Sequence, residues 1–204
     1  MISSLLPQPL DFTNCLSLEE QEELAYKFFK ENIRNQEIRE KYKETEIKLR
    51  LTPPYYEGKE EVFEHLTGFS ETEKYKDKPC KETTLPEICL TKCTTDNIPL
   101  NQRNLCLFRA SLLPWFNGVI RLANNDNPHI KCWENIRIDK KNRKQNRSLL
   151  IRFQHETADY LIVIGVFEKN GKKNYQLRTA YPLFFNYEKQ KLDKEYEKYM
   201  KDKK

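Results

Sequence analysis

The chain has 204 residues, 38% of them hydrophobic and 33% charged, with a formal net charge of +5. That length admits one domain of ordinary size with an appendage or two small domains, and a mean hydropathy of −0.86 predicts exposed helical or loop segments around a modest core. The absence of an apolar run of membrane-spanning length, six unevenly spaced cysteines and an opening MISSLLPQPLDF without a basic region and broken by Pro7 and Pro9 argue against a membrane span and a secretory signal, and predict free thiols in a reducing, cytoplasmic setting.

Ser17 precedes LEEQEELAYKFFKENIRNQEIREKYKETEIKLRL, with Glu19 and Glu20 in the first turn and neither Gly nor Pro before Pro53. This predicts one long helix to about residue 52, N-capped by Ser17 with Glu20 three positions on. Leu18, Leu24, Phe28, Phe29, Ile33 and Ile38 form its apolar stripe, and the charged residues beyond form a solvated surface. Pro53-Pro54 ends it, so residues 1–55 are expected to be a helical arm and 56–204 the main domain.

The run EEVFEHLT at 60–67 fits a helical turn or a short strand equally well. Residues 68–101, with Pro79, Pro86, Pro99 and three cysteines, read as a long loop. Cys89 and Cys93 stand four apart, and Cys80, Cys106 and His65 are conceivable further ligands, yet the spacings match no paired-knuckle pattern and no metal is expected. There is neither a P-loop nor a GxGxxG, so no nucleotide cofactor is expected either. From Arg103 to Leu122, apolar residues recur at helical spacing but are interrupted by Pro114 and Gly118, which suits two short helices or one kinked one. HIKCWENIRI at 129–138 reads as a strand.

From Arg147 to Pro182 three runs, RSLLIRFQ, DYLIVIGVFE and NYQLRTAYP, alternate with polar connectors, and Asn170-Gly171 in the second connector supplies the positive φ values of a tight hairpin. An antiparallel meander follows. Leu161–Phe167, apolar almost throughout, predicts a central strand covered on both faces. A period of two puts Thr179 and Tyr181 on one face of the last strand and Arg178 on the other. A helix after Pro182, with Leu192, Tyr196 and Met200 one turn apart, completes an α+β fold with helices packed on an antiparallel sheet.

The basic residues Arg137, Lys140, Lys141, Arg143, Lys144, Arg147 and Arg152, opposed by Asp139 alone, form a cluster that attracts polyanions through Coulomb forces and counterion release. Trp115 and Trp133 would add rings for stacking unpaired bases. Candidate RNA contacts are therefore Lys140, Lys141, Arg143, Arg147, Arg152, Trp115 and Trp133, each also readable as a solvated charge or a core ring. An imidazole can move a proton near neutrality; His155 in a turn and His129 after a proline have little to recommend them, which leaves His65.

FEHLT at 63–67, Arg109 six residues before Trp115 in RASLLPW, HIKCW, DYLIVIGVFE, and RTAYP at 178–182 before a helix containing LDKEYEKY occur in an order that resembles the phage-type nucleases of the barnase, EndoU, colicin and RelE-like (BECR) superfamily, over residues 60–200. The resemblance implies an α+β fold whose curved antiparallel sheet of about four strands cleaves RNA on its concave face without metal. By position it implies proton transfer for His65, phosphate binding for Arg109 and active-site roles for Thr179 and Tyr181. Leu112 departs from the pattern, standing where a second Arg often follows, and so does the Cys-containing loop; both bear on catalytic competence. The implied activity is that of a metal-independent endoribonuclease, a toxin or effector of phage or mobile-element type. It would cut RNA, tRNA among the candidates, to a 2′,3′-cyclic phosphate, in its own cytoplasm or in a target cell, with an immunity or antitoxin protein as partner. The alternatives are an RNA-binding module without turnover and a protein-interaction domain.

Overall fold

Ser17 starts the first regular element. Its Oγ accepts the Glu20 N–H at 3.1 Å while the Glu20 carboxylate accepts the Leu16 N–H at 2.6 Å, and together they satisfy two backbone donors that a helix start leaves open. Helix α1 (Leu18–Phe28) continues as a π-helical turn over Phe29–Arg34. The computed structural model describes residues 3–51, 55, 56, 58–70, 103–138 and 145–203, and in it this helix stops at Asn35, well short of the expected residue 52. Arg39 turns back and donates to the Ile33 and Arg34 carbonyls at 2.8 and 3.3 Å, so a side chain replaces the next helical turn. Tyr42 and Thr45 then exchange backbone bonds of 2.9 Å across a tight turn with Lys43 and Glu44 at positive φ. The chain enters strand β1 (Ile47–Lys48) with Tyr42 and Ile47 buried. Helix propensities that differ by at most about 0.7 kcal/mol per residue yield to the roughly 1.5–3 kcal/mol of burying a large apolar side chain.

Strands β2 (Tyr55–Tyr56) and β3 (Lys59–Glu60) pair around Gly58, whose φ of +83° favours glycine. The ambiguous EEVFEHLT run resolves as helix α2 (Glu61–Thr67). Strand β4 (Gly68–Ser70) pairs antiparallel with β5 (Arg103–Leu105), and most of the expected loop between them lies outside the described residues. Helices α3 (Leu107–Ser111) and α4 (Trp115–Asn124) are separate, broken where Pro114 cannot continue a helical ladder. Strands β6 (Ile130–Ile138), β7 (Gln145–His155), β8 (Ala158–Lys169) and β9 (Lys172–Pro182) precede helix α5 (Asn186–Asp202). Among the described residues no helix is long and apolar enough to cross a membrane.

The chain divides into two units. A helical unit comprises Leu5–Arg39 and Arg50–Phe116, and a sheet unit comprises Met1–Ser4, Glu40–Leu49 and Asn117–Lys204. Residues 1–55 are thus shared between both units rather than forming an arm. In the helical unit Phe12, Phe29, Ile33, Phe63 and Leu107 are fully buried, with Phe29 and Phe63 centroids 5.4 Å apart and Tyr26 meeting Phe63 edge-on at 5.0 Å. The buried Glu60 carboxylate accepts the Tyr26 hydroxyl at 2.9 Å and pairs with Arg34 at 2.7 Å. Burial, and donation to Glu60, push the Tyr26 phenol above its ordinary value.

The sheet unit is built on five strands in the order β1-β9-β8-β7-β6, antiparallel throughout except that β1 runs parallel to β9. The α+β class therefore stands, with one strand more than expected; the fifth comes from the segment that the sequence assigned to helix. The Asn170-Gly171 hairpin forms with φ of 54° and 70°. β8 occupies the centre of the order, as its unbroken apolar run predicts. Leu161 faces Trp133, Leu150, Leu183 and Leu192 in a core that α5 covers, while Ile162 and Ile164, on the opposite face, are buried too. On α5 the covering stripe is Leu192, Tyr196 and Tyr199; Met200 is exposed.

Candidate functional site

Strand β9 departs from strict alternation at one point, and the departure builds the site. Thr179 pairs with Val163 and Leu177 with Ile164, which leaves Arg178 as the extra residue of a β-bulge. The inserted residue shifts the face on which the preceding side chains fall, and Arg178 lies with Thr179 and Tyr181 instead of opposite them. Its guanidinium extends across β8 directly over Gly165: a Cβ there would meet Nε at 2.7 Å and Nη2 at 3.2 Å. Nη1 reaches Ser148 on β7 and donates to its Oγ at 3.0 Å. Gly165 is thus the close approach that an isolated glycine within a strand signals, and the expectation that Arg178 faces away is corrected by the bulge.

Arg178 and Tyr181 form part of the wall of a cleft of about 370 Å³ between this sheet face and the start of α5. Arg137, Asn135 and Ser148 line it from β6 and β7, and Tyr187, Glu188 and Lys191 from the helix. No side chain caps the first turn of α5, so the positive end of its dipole adds to the same field. Arg137 pairs with Glu195 at 3.4 Å, whereas Arg178 and Lys191 pair with no carboxylate among the described residues.

Beside the cleft, α5 is fixed to the sheet by a buried ionic network. Arg152 is wholly buried; it binds Asp159 through two bonds of 2.7 and 2.8 Å, Asp193 at 3.1 Å and the Lys189 carbonyl at 3.2 Å. Lys131 also reaches Asp193, at 2.9 Å. Arg152 was expected to contact RNA, but it is a structural cation, itself out of reach of solvent, that pairs with the buried Asp159 and the partly exposed Asp193.

The other expected RNA contacts fare unevenly. Trp115 and Trp133 are each 1% exposed, so neither ring is available for stacking. Trp115 Nε1 donates to the Pro7 carbonyl at 3.0 Å, and Trp133 meets Tyr196 edge-on at 5.7 Å. Both aromatics go to the core because large rings gain most from burial. Arg147 is partly exposed, but its charge is matched by Glu134 at 2.6 Å and Glu168 at 3.3 Å, and it shares Glu134 with Lys173. Burial raises the Glu134 carboxyl and these cations outweigh it, holding the group below its ordinary value. Lys140, Lys141 and Arg143 lie outside the described residues, as do Cys80, Cys89 and Cys93.

Of the four residues expected to act in catalysis, Thr179 and Tyr181 belong to the sheet unit and His65 and Arg109 to the helical unit. Tyr181 is half-buried against the α5 core and opens on the cleft; Thr179 is half-buried on the same face. His65, on α2, is partly exposed with Nε2 3.6 Å from Glu61 one turn earlier. Arg109 is buried and donates through Nη1 to the Gly68 carbonyl, so it anchors β4 within its own unit. His129 and His155, which have little in their sequence context to recommend them, stand with ring centroids 4.4 Å apart, and His155 Nδ1 lies 3.0 Å from Ser3 Oγ. Sequence reasoning passed over Tyr187 and Lys191 and ranked Arg178 low; the glycine in an otherwise apolar β8 was the one available sign of the Arg178 bulge. Among the described residues no cluster of three or more His, Cys, Asp or Glu side chains is arranged to hold a metal ion. Comparison with protein-family models, with curated proteins and with solved structures finds no match to this chain.

Proposed function

We propose that this chain is a metal-independent endoribonuclease of the BECR-like type that binds the RNA backbone in the cleft between its sheet and the start of α5. The observation that carries the reading is the bulge at Arg178, which brings a guanidinium without a carboxylate partner among the described residues, a hydroxyl from Thr179 and a phenol from Tyr181 to one face beside a cleft. RNA carries its own nucleophile. Cleavage requires a base to take the 2′-hydroxyl proton, a cation to stabilise the pentavalent phosphorane, and an acid to protonate the 5′-oxygen as its bond to phosphorus breaks. In this reading Arg178 takes over the phosphate role that position alone had given to Arg109, because a planar guanidinium matches phosphate geometry. Thr179 hydrogen-bonds a phosphate oxygen and Tyr181 supplies a proton. The substrate is cytoplasmic RNA, and a protein inhibitor of the immunity or antitoxin type is the corresponding partner.

The test is incubation of purified protein with tRNA and total RNA in EDTA, with end-group analysis of the products. New 2′,3′-cyclic phosphate ends that are lost in Arg178→Ala and Tyr181→Phe are expected. Intact RNA, or cleavage that survives both substitutions, overturns the reading. A second reading, RNA binding without turnover, is favoured by one observation: no histidine or cysteine lines the cleft, and its one carboxylate is Glu188. It predicts affinity that falls steeply with added salt and no products.

A further inference from the structure

We infer that the cleft takes single-stranded RNA and seats one unpaired base on the ring of Tyr187. The inference rests on the RNA reading above and names the substrate class within it. Tyr187 is 67% exposed, so its ring is open to a ligand. The ring stacks on Phe185 with centroids 5.5 Å apart and planes 23° from parallel. One face is thereby held by the protein and the other is presented to solvent, which is the geometry of a preformed stacking platform. Tyr187 also lines the cleft that holds Arg178 and Lys191. Lys191 follows it by one helical turn, so ring and ammonium project from the same side of α5, with Arg178 on the sheet wall opposite. An aromatic platform flanked by two cations suits a nucleotide, the base on the ring and its phosphates on Arg178 and Lys191. The cleft, at about 370 Å³, has the capacity of a pocket for one small ligand. In a duplex the base faces are occupied by their neighbours, so a side chain stacks only where bases are unpaired.

The experiment measures fluorescence anisotropy of a labelled 2′-O-methyl RNA, which cannot be cleaved by attack of its own hydroxyl. The oligonucleotide is used as an unstructured single strand and annealed to its complement. The single strand is expected to bind more tightly. Tyr187→Ala should weaken single-strand binding by roughly ten-fold or more, Tyr187→Trp should preserve it, and duplex binding should not respond to either. Thermal unfolding of the variants checks that the exposed position leaves the fold intact. Equal affinity for single strand and duplex, or indifference of single-strand binding to Tyr187→Ala while Arg178→Ala weakens it, overturns this inference and leaves the RNA reading standing. Absence of binding to either probe at low salt overturns both.

Discussion

Replacing Gly165 by Ala perturbs Arg178 without altering it. The new Cβ would lie 2.7 Å from Arg178 Nε, so the guanidinium must retreat by roughly 0.8 Å to reach an ordinary contact of about 3.5 Å. A retreat away from the sheet stretches the 3.0 Å bond from Nη1 to Ser148 Oγ beyond useful length, and a net hydrogen bond is worth about 1 kcal/mol. Against this, Ala is favoured over Gly inside a strand by roughly 0.5–1 kcal/mol. The two effects nearly cancel, so Gly165→Ala alone should leave the urea midpoint almost unchanged. In an Arg178→Ala background nothing obstructs the methyl group, and the same substitution should stabilise by its propensity alone. The quantity to measure is the coupling in this double-mutant cycle, expected at about 1 kcal/mol where independent sites add within roughly 0.5 kcal/mol. RNA titration gives a second readout: Gly165→Ala should weaken binding in the wild-type background and have no effect where Arg178 is absent. Additive stabilities, or equal losses of affinity in both backgrounds, would refute the argument that Gly165 exists to let Arg178 cross the sheet.

Asp159→Asn leaves the buried Arg152 without its bidentate partner, and stability should fall by roughly 3–5 kcal/mol, visible in calorimetry as a drop in midpoint of roughly 6 °C or more. Glu134→Gln tests linkage: the folded carboxyl is depressed by Lys173 and Arg147 against the opposing effect of burial, so its contribution is full above the unfolded value near about 4.3 and lost as pH falls through the folded one. The substitution should cost up to about 1 kcal/mol at neutral pH and progressively less in denaturant titrations carried out under more acidic conditions. The two buried tryptophans should respond unequally to Phe. Trp115→Phe removes a donor bonded to the Pro7 carbonyl and so loses that hydrogen bond. Trp133→Phe removes an N–H that has no hydrogen-bond partner among the described residues. Equilibrium unfolding should rank the first as the more damaging by about 1 kcal/mol.

Features with short-range causes were legible in the sequence. The Ser17 cap, the Asn170-Gly171 hairpin and the central place of β8 each follow from neighbouring residues and formed as predicted. The misplaced features have causes distant in the chain. The run after Asn35 has the composition of a helix, but Ile47 pairs with Tyr175 on β9, and nothing near Ile47 announces that partner. Arg152 reads as one more cation in a basic stretch until Asp193 arrives from α5 to bury it.

The bulge is the sharpest case. Alternation along β9 assigns Arg178 to the wrong face because one inserted residue reverses the parity of everything before it. Gly165 and Arg178 each look unremarkable alone, and only the register of β8 against β9 makes the missing side chain of one the seat of the other. The same register sorts the cations by what they can do. Arg147 and Arg152 each face carboxylates and spend their field on holding the sheet unit together, while Arg178 leans on a serine hydroxyl. A count of basic residues in the sequence weighs all three alike. Their partners separate them: of these three cations, Arg178 at the bulge on β9 is the one whose charge no carboxylate among the described residues matches.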